Sequence, residues 1–352
     1  GNLTLFSRKE KRYRCTVCEK TFSVTKGSLF YRLRTSPATV MLVIALLTYG
    51  CPPQAAALAF GLDERTVRDW WRRAGHQSEA VHEHLVAARP RDLQQVQADE
   101  IRAKLQKAVA WLAMALEVPT RLWLGGVVSA QRDLALITRL AAKIRQQALC
   151  RPLLLAVDGL ASYVTAFQHA FRSPLPRSGP AGRPVLVPWP DIAIVQVIKR
   201  KTAEGLEIER RIVQGAEPLV RRLIQASQGH GGINTAFIER LNATFRQHLA
   251  PLARRTRALA RQVETLAGGM YVVGCVYNFC TYHQSLRLKL SVGSFGYRWV
   301  QRTPAMAAQL TDHCWTIPEL LSYRVPPPRW VPSLKRGRPS NEMLALIERW
   351  AK

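Results

Sequence analysis

Acidic residues are scarce in this chain. Its 352 residues include 24 Asp and Glu against 51 Lys and Arg, a formal net charge of +27. An excess of that size is more than solubility needs and points to a polyanionic partner, nucleic acid first. Cysteine is sparse and odd in number, seven in all, with no dense spacing that would staple a small secreted fold. That usage fits a reducing cytosol, and no secretory signal is read at the N-terminus. Long apolar runs are also missing. The longest, Thr39 to Tyr49, is shorter than the roughly 20 residues a membrane span needs. No lipidation signal or basic amphipathic helix marks a membrane surface as the partner. No aromatic-rich stacking sheet suggests RNA, and there is no internal repeat or low-complexity tract. A chain this long can hold two or more domains and a substantial core.

Among what is present, "KRYRCTVCEKTFS" comes first. Cys15 and Cys18 form a CxxC, half of a four-ligand zinc ribbon, and no second pair completes it. Residues 1–34 therefore read as a partial zinc-ribbon-like segment, or as a hairpin carrying two free thiols. Residues 35–80 read as a helical DNA-binding domain. Ser36-Pro37 supplies an N-cap and first helical residue, and an apolar helix closes at Gly50. A short Ala-rich helix then turns at Gly61, and Asp63 caps a second helix running to Gly75. Val67 and Trp70 or Trp71 point inward, leaving Arg65, Thr66, Arg68, Arg72 and Arg73 for a DNA groove. The plainer alternative is a three-helix core with a solvated basic face. His76, His82 and His84 follow with Glu79 and Glu83, at spacings that suit a polar helix better than a metal site. Residues 81–92 read as a linker.

From residue 93 the periodicity changes. "LQQVQADEI" alternates as a strand and ends at Asp99-Glu100, and two long strands make a hairpin through "VPT". An amphipathic helix follows, with Leu134, Ile137, Leu140 and Ile144 on one face. "PLLLAVDGL" reads as a short buried parallel strand ending in Asp158. Residues 172–190, rich in Pro, Gly and Arg, read as an extended loop, and an additional hairpin follows. A helix after Asn234-Thr235 carries Ile238, Leu241, Phe245 and Leu249 on one stripe. Glu239, Asn242 and Arg246 share another face. A long basic helix is expected over roughly 256–282. In the tail, 291–352, the tetrapeptide Arg336-Gly337-Arg338-Pro339 reads either as an AT-hook-like minor-groove contact or as a flexible basic linker.

Phosphodiester chemistry near neutral pH is served by two divalent cations about 3.5–4 Å apart. Magnesium is held through a few carboxylates. Acids that converge without such cations repel one another. Asp99 on one strand, Asp158 at the end of a neighbouring parallel strand and Glu239 on a helix behind the sheet fit that scheme. Taken singly, Asp158-Gly159 could be a turn and Glu239 a surface acid beside Arg240; their joint order makes the case.

"QADEI", "AVDGLASY", "FIERLNATFRQHLAPLARRTRALAR" and "YNFCTYHQSLR" together resemble bacterial insertion-sequence transposases of the DDE class. The likeness is to the group that joins a zinc ribbon and a helix-turn-helix to a ribonuclease H-like core, and it covers most of the chain. "YRCTVCEKTFS" and "RTPAMAAQLTDHCW" resemble that group as well. The resemblance implies an α/β fold: a ribonuclease H-like mixed sheet with flanking helices over 93–290, with an insertion at about 172–215. It makes Asp99, Asp158 and Glu239 the catalytic, Mg2+- or Mn2+-binding acids. Asn242, Arg246, Arg254 and Arg255 become DNA-contact candidates, and His283 an active-site or DNA contact. It implies DNA cleavage and strand transfer at the inverted repeats of an element, on double-stranded DNA, by a homodimer or larger assembly in the bacterial cytoplasm and nucleoid. The incomplete ribbon leaves zinc doubtful. A related nuclease without strand joining, or a catalytically inactive transposase-derived DNA-binding protein, are the alternatives.

Overall fold

Residues 2–106, 108–175, 184–202, 205–260, 262–291, 296–326 and 339–350 are described in the computed structural model. Strands β1 (Leu3–Ser7), β2 (Arg12–Cys15) and β3 (Thr21–Ser23) form a small antiparallel sheet. Helix α1 (Pro37–Thr48) starts as the sequence predicts, with the Ser36 hydroxyl accepting from the Thr39 N–H and Pro37 in the first turn. Helix α2 (Pro53–Phe60) stops at Gly61, whose φ of 62° is left-handed and suits glycine. The Asp63 carboxylate then accepts from the Arg65 N–H at 2.7 Å and caps α3 (Glu64–His82). Val67, Trp70 and Trp71 are all buried.

The main sheet grows from a meander of β4 (Gln95–Lys104), β5 (Val109–Glu117) and β6 (Trp123–Ser129). Helix α4 (Leu134–Gln147) crosses back, burying Leu136, Ile137, Leu140 and Ile144 and leaving Leu134 exposed, contrary to its expected place on the inner face. Strand β7 (Leu153–Val157), buried at every residue, lies parallel to β4. After α5 (Ala161–Ala170) come a short ribbon of β8 (Arg172–Pro174) and β9 (Leu186–Pro188), then β10 (Ile192–Thr202) and β11 (Gly205–Gln214). The full order is β11-β10-β7-β4-β5-β6. The expected insertion at about 172–215 is thus only partly one. β10 is a member of the main sheet, parallel to β7, because Ile192 to Val197 are buried on both faces, the environment of a parallel strand.

Helices α6 (Glu217–Gln228), α7 (Ala236–His248) and α8 (Val263–Cys275) complete the layers. The helix expected from about residue 256 begins only at Val263, is mostly apolar and buried, and ends in a π turn at Val276–Cys280. Then come β12 (Leu288–Ser291), β13 (Tyr297–Val300), α9 (Pro304–Ala307), α10 (Ile317–Ser322) and α11 (Asn341–Trp350). Much of the expected tail is core. Ala305, Trp315, Leu320 and Leu321 are buried, and Trp315 stacks on Phe279 at 4.7 Å. Because side chains alternate along β5, Leu112, Met114 and Leu116 join the core under α1, α3, α7 and α8, while Ala113 and Ala115 face α4 and α5. Helix α6 covers β7 and β10 through Val220, Leu223 and Ile224. Among the described residues no helix is long and apolar enough to cross a membrane.

Helix α3 does not stop at Gly75. It continues to His82 and through a π turn at Glu83–Ala87, with Val81, Leu85 and Val86 buried, so the segment expected as a linker is largely packed helix. Gly75 is there because two backbones meet: a Cβ on it would lie 2.6 Å from the Cα of Gly268 in α8. The reverse substitution is easier, since a Cβ on Gly268 would sit 3.4 Å from Gly75. Gly75→Ala is therefore expected to destabilise the protein by about 1–3 kcal/mol, the cost of overpacking, and Gly268→Ala by clearly less. Denaturant midpoints of the two variants check this order.

Candidate active site

The site is assembled by the far half of β4. Gln97, Asp99 and Ile101 project to the α7 side of the sheet, and Ala98 and Glu100 to the α5 side. Helix α7 has no side-chain cap of its own. The buried Gln97 amide supplies one: its oxygen accepts from the N–H groups of Phe237 and Ile238, both at 3.0 Å, and its nitrogen donates to the Asn234 carbonyl at 2.8 Å. This clamp holds α7 against β4 with Glu239 and Asn242 toward Asp99. Asn242 donates to Asp99 at 2.7 Å.

Strand β7 ends at Val157. The pairing of Gln97 with Ala156, continued by two residues, sets Asp158 beside Asp99. One Asp158 oxygen accepts from the Leu160 N–H at 2.9 Å, so the residue is also the turn-former that the Asp-Gly pair suggests. Its backbone carbonyl accepts from the Gln196 side-chain amide, whose Oε1 accepts from Arg211. Carboxylate oxygens of Asp99, Glu100 and Asp158 lie within 4.8 Å of one another. Across the cleft, Glu239 accepts from Lys199 Nζ at 2.5 Å and Thr235 Oγ1 at 2.6 Å. Asp99, Asp158, Glu239, Arg132 and Lys199 line a cavity of about 570 Å³.

Burial, then the charge of Glu100, pushes the Asp99 carboxyl up to about 7; Asp158 and Glu239 add to this and the Glu100 N–H opposes it. Burial and the Asp158 charge likewise raise Glu100, against donation from Tyr163 and Arg132. The donor set is hard carboxylate oxygen, which suits Mg2+ or Mn2+. The buried amide oxygen of Asn242 has no hydrogen-bond partner among the described residues. These features fit a divalent cation at Asp99 and Asp158; Glu239 lies outside the group of oxygens within 4.8 Å of one another and is ion-paired with Lys199.

The three acids expected from the sequence thus face one cleft, with Asn242 beside them. Burial and the Arg254 charge lower Arg246, while Asp99 opposes them. Sequence reasoning missed Gln97, Glu100, Arg132 and Lys199. His283 is not in the cleft lining; it is half-buried, hydrogen-bonded to Ser285 at 2.9 Å and held down by burial and by Arg121 and Arg240. Arg254 and Arg255 are exposed. On α3, Arg65 is exposed and Thr66 half-buried. Arg68 pairs with Glu64, and Arg72 and Arg73 with Asp69 at 2.6 and 2.8 Å. Arg65, Arg68 and Arg72 line a second cavity, of about 490 Å³, together with residues 249–251 and 258–260. His82 is buried against Trp123 and Tyr271, where desolvation holds it down at about 3. Cys15 is half-buried and Cys18 exposed. Backbone donation from Cys18 and Val17 holds the Cys15 thiol below its ordinary value. Among the described residues no third metal-ligating side chain joins the two. Arg336 and Arg338 lie outside the described residues. Compared with known proteins, the chain matches no protein-family model and no curated protein.

The raised Asp99 has a pH signature. The unfolded chain releases this proton near 3.8 and the folded state keeps it to about 7. Its contribution to stability is complete below the lower value and lost as pH rises through the upper one. Asp99→Asn is therefore expected to be more stable than wild type at pH 8 in chelator, with the gap closing toward pH 4. Adding Mg2+ at pH 8 raises the wild-type melting temperature more than that of the variant. Melting curves at the two pH values, with and without Mg2+, measure both effects.

Proposed function

We propose that this protein is a DNA transposase of the DDE class with a ribonuclease H-like catalytic core. The observation that carries the reading is the convergence of Asp99, Asp158 and Glu239, remote in sequence, on one cleft of a strongly basic chain. The element order supports it. Three strands, a helix and a fourth strand, with one acid on the first strand and another just past the fourth, is the order of such a core. The parallel pairing of β4 with β7 is what brings those two acids together.

Asp99, Asp158 and Glu239 would hold Mg2+ or Mn2+. A cation bound there supplies Lewis-acid stabilisation of charge on the phosphoryl oxygens and lowers the pKa of an attacking hydroxyl or water. The chain's own residues do the rest. Asn242 orients Asp99 through its amide. Lys199 and Thr235 keep Glu239 turned toward the cleft. Arg246, Arg254 and Arg255 bring positive charge to where a duplex backbone would approach. The α2–α3 pair would read the terminal repeats through Arg65 and its neighbours. Two DNA ends must be paired for joining, so the active form is a homodimer or larger assembly in a bacterial cytoplasm, on the nucleoid.

The test uses labelled duplexes taken from the DNA flanking the protein's own coding sequence, with Mg2+ or Mn2+. Wild type is run beside Glu239→Gln and Asp158→Asn. Cleaved and strand-joined products that need the metal, and that fall to the no-protein level in both variants, are expected. Cleavage without joining would make the protein a nuclease. Specific binding with neither product would make it a DNA-binding protein whose acids do no chemistry.

A further inference from the structure

Glu100 sits close enough to Asp99 and Asp158 to pass as another metal ligand. Its partners give it a different task. Its side chain is 2% exposed, and both oxygens are engaged. Oε2 accepts from the buried Tyr163 hydroxyl at 2.8 Å, and Oε1 accepts from Arg132 Nε at 2.5 Å and also meets Arg132 Nη2. It also projects from β4 on the side opposite Asp99. A buried carboxylate with both oxygens engaged by donors is an anchor, and Arg132 is what it anchors.

Arg132 lies between β6 and α4, next to the Asp133 that caps α4. Its guanidinium carbon lies 5.1 Å from the centre of the Trp111 ring. Its side chain is 36% exposed and lines the cleft. The contact with Asp158 is the weaker one, at 3.4 Å, too long for a firm charge-assisted bond. An arginine fork can hold a carboxylate by one edge and offer its other N–H groups to a second anion.

We propose that Arg132 is a phosphate-binding residue of the cleft, and that Glu100 and Tyr163 are positioning residues that hold its guanidinium there. This rests on reading the cleft as a site of phosphodiester chemistry. Glu100 is held by the Nε and Nη2 edge, and the same Nη2 touches Asp158; a bound cation would draw Asp158 to itself and leave the second N–H of Nη2, with the Nη1 group, to a phosphate. Glu100 would keep the side chain from swinging out to solvent.

The experiment uses full-length wild type, Arg132→Ala, Arg132→Lys and Glu100→Gln. Binding of a fluorescein-labelled duplex of arbitrary sequence in Ca2+ is titrated over a series of KCl concentrations. Mn2+-dependent nicking of supercoiled plasmid gives KM and kcat, and melting curves monitor folding. In Arg132→Ala the slope of log affinity against log salt is expected to fall by about 1, and KM to rise about ten-fold or more. Arg132→Lys recovers the slope but not KM, because charge returns without the fork. Glu100→Gln raises KM and leaves the Mn2+ requirement unchanged. If Arg132→Ala melts early, the double variant Glu100→Gln/Arg132→Gln, which removes both charges together, replaces it. Unchanged slope and KM on loss of Arg132 would overturn the proposal. So would a Glu100→Gln variant that needs more Mn2+, since Glu100 would then be a ligand. A wild type that never nicks defeats the catalytic reading alone; the salt slope of the Arg132 variants still decides for or against the phosphate contact.

Discussion

A single buried amide ties together the half of the molecule that carries the acidic cleft. Gln97 has no solvent exposure, yet its side chain satisfies two backbone N–H groups of α7 and one carbonyl of the loop before it. The Ile238 N–H is buried outright, and leaving it without a partner would cost about 1–3 kcal/mol; the other two groups are only partly buried. The clamp also fixes register. Slipping β4 by one residue would send Gln97 and Asp99 to the other side of the sheet together. Sheet order, helix position and the meeting of the acids are therefore one constraint seen three ways.

What the sequence makes legible follows from how local each cause is. The α1 start at Ser36, the Gly61 turn and the Asp63 cap are short-range hydrogen bonds and read directly. The buried β7 reads from its unbroken apolar run. Asp99, Asp158 and Glu239 are legible only jointly, since each alone passes for a turn residue or a surface acid. Other features have causes far away in the chain. Gly75 looks like a helix stop until Gly268 arrives from α8 to need the space. The basic end of β10 looks like an appended hairpin, and only pairing with β7 makes it a sheet member. Glu100, beside another acid on a strand, looks solvated, and its burial depends on Tyr163 and Arg132.

Charge is distributed with the same economy. Several α3 arginines spend their charge inside the molecule, on Glu64 and Asp69. Exposed pairs of this kind contribute little to stability. An approaching phosphate can take over such an arginine at small cost, so pairing in the free protein does not disqualify these residues as DNA contacts. Glu100 and Arg132 belong to a different regime, because one partner is desolvated and cannot be released cheaply.

The contact between Gly75 and Gly268 also bears on distance. Two backbones in van der Waals contact leave no side-chain padding through which one helix can slide over the other. The three-helix block is thus welded to the layer that carries α7, with no flexible tether between them. On the proposed reading, the interval between the sequence gripped by α3 and the bond attacked in the cleft is a built-in ruler. Its length is set by a helix crossing, and lengthening a loop elsewhere in the chain would leave it unchanged.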